Sequence, residues 1–204
     1  MKKIFLRTVF SVLLVFYGLS PAFSYMVKYK EDYYKLYHVH YQQYPDDCME
    51  NIYWLEKAVK ADFCNPLYAM SRIETEKDWE KYRYLFMMHV NLKIIEQYLR
   101  LGRIYDKKVA HFYDAPWSEV YVEELQKTLS CYQTCRMYWQ EAKLWAEKAN
   151  TGSFKFLYLT DLQYWEDERE RIATGDLDYE KTLNREITRV KKVIAEFEKM
   201  GKKY

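Results

Sequence analysis

A long apolar stretch from Glu76 to Tyr113 limits the folds open to this chain, because its middle part is apolar on more than one helical face. Two adjacent rows at helical spacing run through it: Leu85, Met88, Leu92, Ile95 and Leu99, and beside them Phe86, Val90 and Ile94. A helix that is apolar around so much of its circumference is covered by neighbours on several sides. The sequence therefore predicts an all-α domain built around this central helix.

The composition supports a helical fold and argues against binding to nucleic acid. The chain has 204 residues, half of them hydrophobic, with only 5 glycines and 4 prolines. This scarcity of turn residues disfavours a fold with many β-strands. The 32 basic and 30 acidic residues leave a formal net charge of +2, whereas binding to duplex nucleic acid needs a concentrated basic face.

Residues 1–24 have the pattern of a cleavable secretory signal peptide. A basic start is followed by an apolar run from Val9 to Leu19 and by small residues at Ala22 and Ser24, the two positions that signal peptidase reads. The run is shorter than the roughly 20 residues that span a bilayer. We therefore expect a single mature domain over residues 25–204 that is periplasmic or secreted; an uncleaved anchor is the alternative.

Capping and breaking residues divide the mature chain into about seven or eight predicted helices and no strand. Besides the central helix from Thr75, the predicted segments are 25–44, Asp47 to about Ala61, a restart at Pro66, Trp117 to Asn150, a helix from about Ser153, and a last helix from Tyr179 to Gly201. The separators between them are short, which favours antiparallel helix hairpins.

Two local features carry more specific expectations. Gly102 lies inside the helical pattern, where glycine costs about 1 kcal/mol relative to alanine. It predicts either a turn or a close approach of two backbones. The mixed charge run from Glu166 to Arg171 is expected to be a solvated helix end with ion pairs.

Three segments resemble the tetratricopeptide repeat, a family of stacked helix hairpins of about 34 residues. Leu101 to Tyr105 is similar to the Leu-Gly-x-x-Tyr segment of that family, Ala142 to Ala149 to its second helix, and Trp54 to Ala58 is a fainter match. The family's glycine and tyrosine would fall on Ser130 and Gln133, so the pattern is degenerate. The resemblance implies a TPR-like array of antiparallel hairpins; an ordinary helical bundle is the alternative.

A narrower resemblance concerns function. The signal peptide, the helical body and the segment Leu99 to Asp106 together resemble small periplasmic repeat proteins of spirochaetes, some of which belong to the periphery of the flagellar motor. Repeat arrays usually present a concave face to a protein segment. The resemblance implies a non-enzymatic scaffold or adaptor that binds another envelope or periplasmic protein.

The high number of aromatic residues is not fully explained by a helical fold, since the chain contains 22 tyrosines and 6 tryptophans. Tyrosine and tryptophan are favoured at protein interfaces, although a helical core accounts for many of them. We predict one concave protein-binding groove lined by Tyr84, His89, Tyr98, Tyr105, Tyr138, Trp139 and Trp145. The alternative is a carrier that encloses a small apolar or aromatic ligand, with His89 as a polar contact. An enclosed cavity would favour the carrier, and an open groove would favour the adaptor.

Cys48, Cys64, Cys131 and Cys135 are candidates for disulfide bonds in an oxidising compartment. Cys131 and Cys135 lie one helical turn apart, where a bridge between them would be strained. Pairing with Cys48 or Cys64 would therefore cause less strain, and four free buried thiols are the alternative.

The sequence contains no Gly-x-Ser-x-Gly elbow, His-Glu-x-x-His motif or phosphate-binding glycine loop. We accordingly expect no enzymatic activity, no metal and no cofactor.

Overall fold

The computed structural model describes residues 26–106 and 118–200, so the predicted signal peptide and the end of the central stretch lie outside the described residues. The elements are α1 (Lys30–Gln43), α2 (Cys48–Lys60), a 3-10 helix (Pro66–Tyr68), α3 (Glu76–Tyr105), α4 (Ser118–Ala149), α5 (Gln163–Thr174) and α6 (Tyr179–Met200). The all-α prediction is confirmed, with six α-helices and no strand in these two ranges. Within the same ranges, no helix is both long and apolar enough to cross a membrane.

Helix α3 is the central helix, as its apolar rows predict. Both rows are buried, and Leu85, Phe86 and Val90 have no exposed surface at all. Helix α4 packs along α3, and α2 and α5 cover other parts of it. Each fully buried side chain of this kind stabilises the fold by roughly 1.5–3 kcal/mol.

The predicted capping residues explain the starts of α2 and α3. Asp47 accepts a hydrogen bond from the backbone N–H of Glu50 (3.1 Å) at the start of α2. Thr75 accepts one from the backbone N–H of Asp78 (3.1 Å) at the start of α3. Asn65, by contrast, begins only the short 3-10 helix, so the predicted restart there does not extend into a full α-helix.

Helices α3 and α4 are antiparallel and pack tightly against each other at Gly102. A Cβ atom on Gly102 would lie 2.6 Å from Cε1 of Tyr132, while Tyr84 near the start of α3 stacks on Trp145 near the end of α4. Gly102 remains helical, so the turn is not formed, and the close contact at this position is with the side chain of Tyr132 on α4. Helix α6 packs antiparallel along α4.

Two predictions for the region around α5 are wrong. The segment 153–162 has no α-helix, and α5 begins only at Gln163. Glu166 and Glu168, which were expected in solvent, are 0% and 3% exposed. The physical reason is that both carboxylates and the backbone of this segment bind residues of α3, which the local pattern does not reveal.

Candidate functional site

The seven residues predicted to line one groove are divided among several places. His89 and Trp139 are each 2% exposed, so neither belongs to a surface and the prediction is corrected for both. Tyr98 and Tyr138 form a stacked pair (5.9 Å between ring centroids), and Tyr105 lies half-buried at the end of α3. The remaining two, Tyr84 and Trp145, line an open cleft.

This cleft has a volume of about 380 Å³ and opens to solvent beside α3 and the end of α4. The rings of Tyr84 and Trp145 stack there with centroids 5.9 Å apart and planes inclined by 30°. The other lining residues are Lys30, Phe63, Arg83 and Met87. The lining thus combines aromatic and thioether surface with two cations and contains no carboxylate. We call these six residues the aromatic–cationic cleft.

The two cations of the cleft differ in their surroundings. Lys30 is buried, and its Nζ donates to the carbonyl oxygens of Ala58 (3.2 Å) and Val59. Burial lowers the pKa of Lys30, against the opposing effect of Glu31. Arg83 is exposed and makes no hydrogen bond or ion pair with the described residues. Its guanidinium can therefore bind an incoming carboxylate through two parallel hydrogen bonds.

The indole of Trp145 adds an unused donor to the cleft. Its Nε1–H is buried and has no acceptor within the described part of the chain. A buried donor without a partner costs about 1–3 kcal/mol. The Nζ of Lys148 lies 4.0 Å from the centroid of the Trp145 ring, a cation–π contact that brings a further positive charge to the edge of the cleft.

The ring of Tyr84 is held from three directions. Its hydroxyl donates to Oε1 of Glu80 (2.8 Å), and Trp145 stacks on it. The edge of Phe154, from the segment before α5, meets it with centroids 6.0 Å apart at 71°. The position of Tyr84 therefore depends on the position of that segment.

A buried ion pair fixes the segment that carries Phe154. The Nζ of Lys81 pairs with Glu166 and also donates to the carbonyl oxygen of Lys155 (2.7 Å). Glu166 in turn accepts a hydrogen bond from the backbone N–H of Leu157 (2.9 Å). Burial lowers the pKa of Lys81, and the Glu166 carboxylate opposes that effect. Because both charged groups also bind the segment's backbone, the segment is held in an irregular conformation instead of a helix.

A second buried constellation joins α1, α3 and α5. The Nδ1 of His89 lies 2.5 Å from Oε2 of Glu168, and its Nε2 lies 2.6 Å from the hydroxyl of Tyr34. Burial raises the pKa of Tyr34 far above its ordinary value. The Glu168 carboxylate accepts from Nδ1–H, and Nε2 shares the second hydrogen bond with the protonated phenol of Tyr34. All three side chains are almost fully buried, so this constellation joins helices instead of meeting a ligand in solvent.

The pair of Tyr98 and Tyr138 is occupied by a third partner. Both hydroxyls donate to Oε1 of Glu56, at 3.2 Å and 2.9 Å. Burial and the Glu56 carboxylate raise the pKa of Tyr98 to about 12. These two tyrosines connect α2 to α3 and α4 and are half-buried there.

The four cysteines are free and buried, so the predicted disulfide bonds are not formed and the free-thiol alternative holds in this structure. Cys48 and Cys131 lie in one small apolar cluster together with Ile52 and Leu101. Burial raises the pKa of Cys135 to about 12. Among the described residues, no group of three or more histidine, cysteine, aspartate or glutamate side chains is placed to hold a metal ion.

Four residues of the cleft were not predicted from the sequence. Arg83 and Met87 are four residues apart on α3 and therefore lie on one face of the helix, next to Tyr84. This spacing could have indicated them, but the prediction considered mainly aromatic residues. Lys30 and Phe63 come from distant parts of the chain, and no local pattern places them beside α3. Lys81 and Glu166, which support the cleft, were likewise missed.

The fold and the cleft define an all-helical protein with an open cleft of aromatic and cationic residues. The chain belongs to a family described as a domain of unknown function, DUF8513, whose model matches residues 77–200. The matched part contains almost all of α3 and the whole of α4 to α6, whereas Lys30 and Phe63 of the cleft precede it. No curated protein and no solved structure matched the chain.

Proposed function

We propose that the protein is a non-enzymatic scaffold or adaptor that binds another envelope or periplasmic protein through the aromatic–cationic cleft. The observation that carries this proposal is the stacked pair of Tyr84 and Trp145 in an open cleft beside Arg83, which has no partner among the described residues. Tryptophan, tyrosine and arginine are the residues that contribute most at binding hot spots.

The shape of the cleft favours an adaptor over a carrier. A carrier encloses most of the surface of its ligand, whereas this cleft opens to solvent. His89, the polar contact expected for an enclosed ligand, has both ring nitrogens occupied by Tyr34 and Glu168. An occupant of the cleft would keep part of its surface outside, as a segment of a larger partner does.

The finer proposal is a degenerate TPR-like array in the periplasm, associated with the flagellar motor as in the spirochaete proteins that the sequence resembles. Its support is the Leu101 to Tyr105 segment and the antiparallel packing of α3 on α4. Helices α3 and α4 have 30 and 32 residues, each nearly as long as a whole repeat of about 34 residues. Any repeat in this chain is therefore strongly elongated.

The proposal is tested by affinity capture of the tagged mature protein from its own cell envelope after mild crosslinking, read by mass spectrometry. The wild type is compared with Tyr84→Ala and with Tyr68→Ala, which removes a tyrosine that is 75% exposed and does not line the cleft. We expect stoichiometric recovery of one or a few envelope proteins with the wild type and Tyr68→Ala, and their loss with Tyr84→Ala. Recovery of the wild-type protein alone would overturn the proposal.

A further inference from the structure

We propose that the occupant of the aromatic–cationic cleft is an acidic segment of the partner protein, in which an aspartate or glutamate lies next to an aromatic or large aliphatic side chain. This inference rests on the proposed function and names the chemistry of the partner. It is carried by the charges and the apolar surface of the cleft.

The charges of the cleft select a carboxylate. Arg83 and Lys30 are its charged lining residues, and the Lys148 ammonium lies over the ring of Trp145. The neighbouring carboxylate of Glu80 already accepts the hydroxyl of Tyr84. An incoming carboxylate can therefore bind the guanidinium of Arg83, which has no ion-pair partner among the described residues, with the Lys148 ammonium nearby.

The apolar surface of the cleft selects the neighbouring side chain of the segment. Phe63, Met87 and the Tyr84–Trp145 stack provide a surface suited to one large apolar group, and methionine adapts its shape to different partners. A nucleic-acid backbone fits less well, because it requires a row of accessible cations and Arg83 is the accessible cation of this cleft. A protein segment with alternating acidic and apolar side chains matches the whole lining.

The test is a selection from a library of random twelve-residue peptides displayed on phage, with the mature protein as target. The enriched pool is then tested against Arg83→Glu and against Arg103→Glu, a matched charge reversal of another exposed arginine on the same helix, about 30 Å away at 1.5 Å per residue. We expect enriched peptides with Asp or Glu beside Trp, Tyr, Phe or Leu, which bind Arg103→Glu normally and Arg83→Glu at least about tenfold more weakly. Replacing the acid by its amide in a synthetic copy should weaken binding by a similar factor.

The outcomes separate this inference from the proposed function. Peptides that depend on Arg83 or Tyr84 but show no acidic preference would overturn the acidic occupant and leave a protein-binding cleft. An envelope partner captured through Tyr84, together with a library that yields no cleft-dependent peptide, would likewise overturn this inference alone. If no envelope partner is captured through Tyr84 and the library yields no cleft-dependent peptide, both the inference and the proposed function are overturned.

Discussion

Lys81 on α3 and Glu166 on α5 form an ion pair that is almost completely withdrawn from solvent, with side chains 4% and 0% exposed. The two residues are 85 positions apart in the sequence. Because each also binds the backbone between α4 and α5, the pair joins two helices and the segment that carries Phe154. It therefore connects the core to a wall beside the cleft.

Substitution of Lys81 by Met should destabilise the protein, since it leaves the buried Glu166 carboxylate with Arg169 (3.0 Å) as its remaining cation among the described residues and removes the donor to the Lys155 carbonyl. Loss of one partner of a buried pair costs about 3–5 kcal/mol. The double variant Lys81→Met/Glu166→Gln should recover part of this loss, because the buried carboxylate is gone and Arg169, which loses its ionic partner, still donates to Asn150. Urea unfolding followed by tryptophan fluorescence measures the free energy of unfolding of both variants.

The control for this experiment is Lys192→Met, which removes an exposed i,i+4 partner of Glu196. An exposed pair of this kind contributes about 0–1 kcal/mol. A loss in Lys81→Met no larger than in Lys192→Met would contradict the buried pair described above.

Gly102→Ala should destabilise the protein even though alanine is the better helix former by about 1 kcal/mol. The new Cβ would lie 2.6 Å from the ring of Tyr132, which is 2% exposed and bound to Asp106. Overpacking of this kind costs about 1–3 kcal/mol, so the net change is a loss. Gly152→Ala, with no atom within 4 Å of its Cβ, is the control and should be neutral. Thermal unfolding of the two variants distinguishes them, and an unchanged Tm for Gly102→Ala would refute the close approach.

Alkaline pH should weaken the packing of Tyr98. Its folded pKa is raised to about 12 from an ordinary value of 10.0. A folded pKa above the unfolded one gives a stabilisation that is complete below about pH 10 and is lost as the pH rises towards about 12. The Tyr98→Phe variant should therefore lose less of its free energy of unfolding than the wild type between about pH 9 and about pH 11. Equal losses in urea unfolding at these pH values would count against this assignment.

The cysteines should be protected in the native protein. All four are buried, and burial raises the pKa of Cys64 to about 12, so little reactive thiolate forms near neutral pH. We expect iodoacetamide to leave the native chain unmodified and to add four groups in denaturant without reductant. Mass spectrometry counts the adducts. Fewer than four in the denatured protein would restore the disulfide hypothesis.

The sequence predicted those features of the fold that are set by neighbouring residues. The buried rows of α3 follow from helical spacing, and the caps at Asp47 and Thr75 follow from side chains next to the helix starts. The close approach at Gly102 was one of two outcomes that glycine permits, and the contact with Tyr132 decided between them.

The features that the sequence did not predict depend on partners far along the chain. Glu166 and Glu168 have the local appearance of a solvated run, yet Lys81 and His89 bind them in the core. The same contacts prevent the helix predicted from Ser153. For the cleft, Tyr84 and Trp145 were found from their residue type. His89 and Trp139 were chosen in the same way, but His89 is buried against α1 and α5 and Trp139 packs on Tyr179 of α6.

The most direct test of the adaptor hypothesis is the affinity of the captured envelope partner for the purified mature protein, measured by titration calorimetry. The partner is titrated into the wild type, Arg83→Glu and the control Arg103→Glu, after circular dichroism has shown that all three are folded. We predict unchanged affinity for Arg103→Glu and a loss of at least about tenfold, or about 1.4 kcal/mol, for Arg83→Glu. Equal affinity for all three proteins would place the binding surface outside the aromatic–cationic cleft and contradict the account.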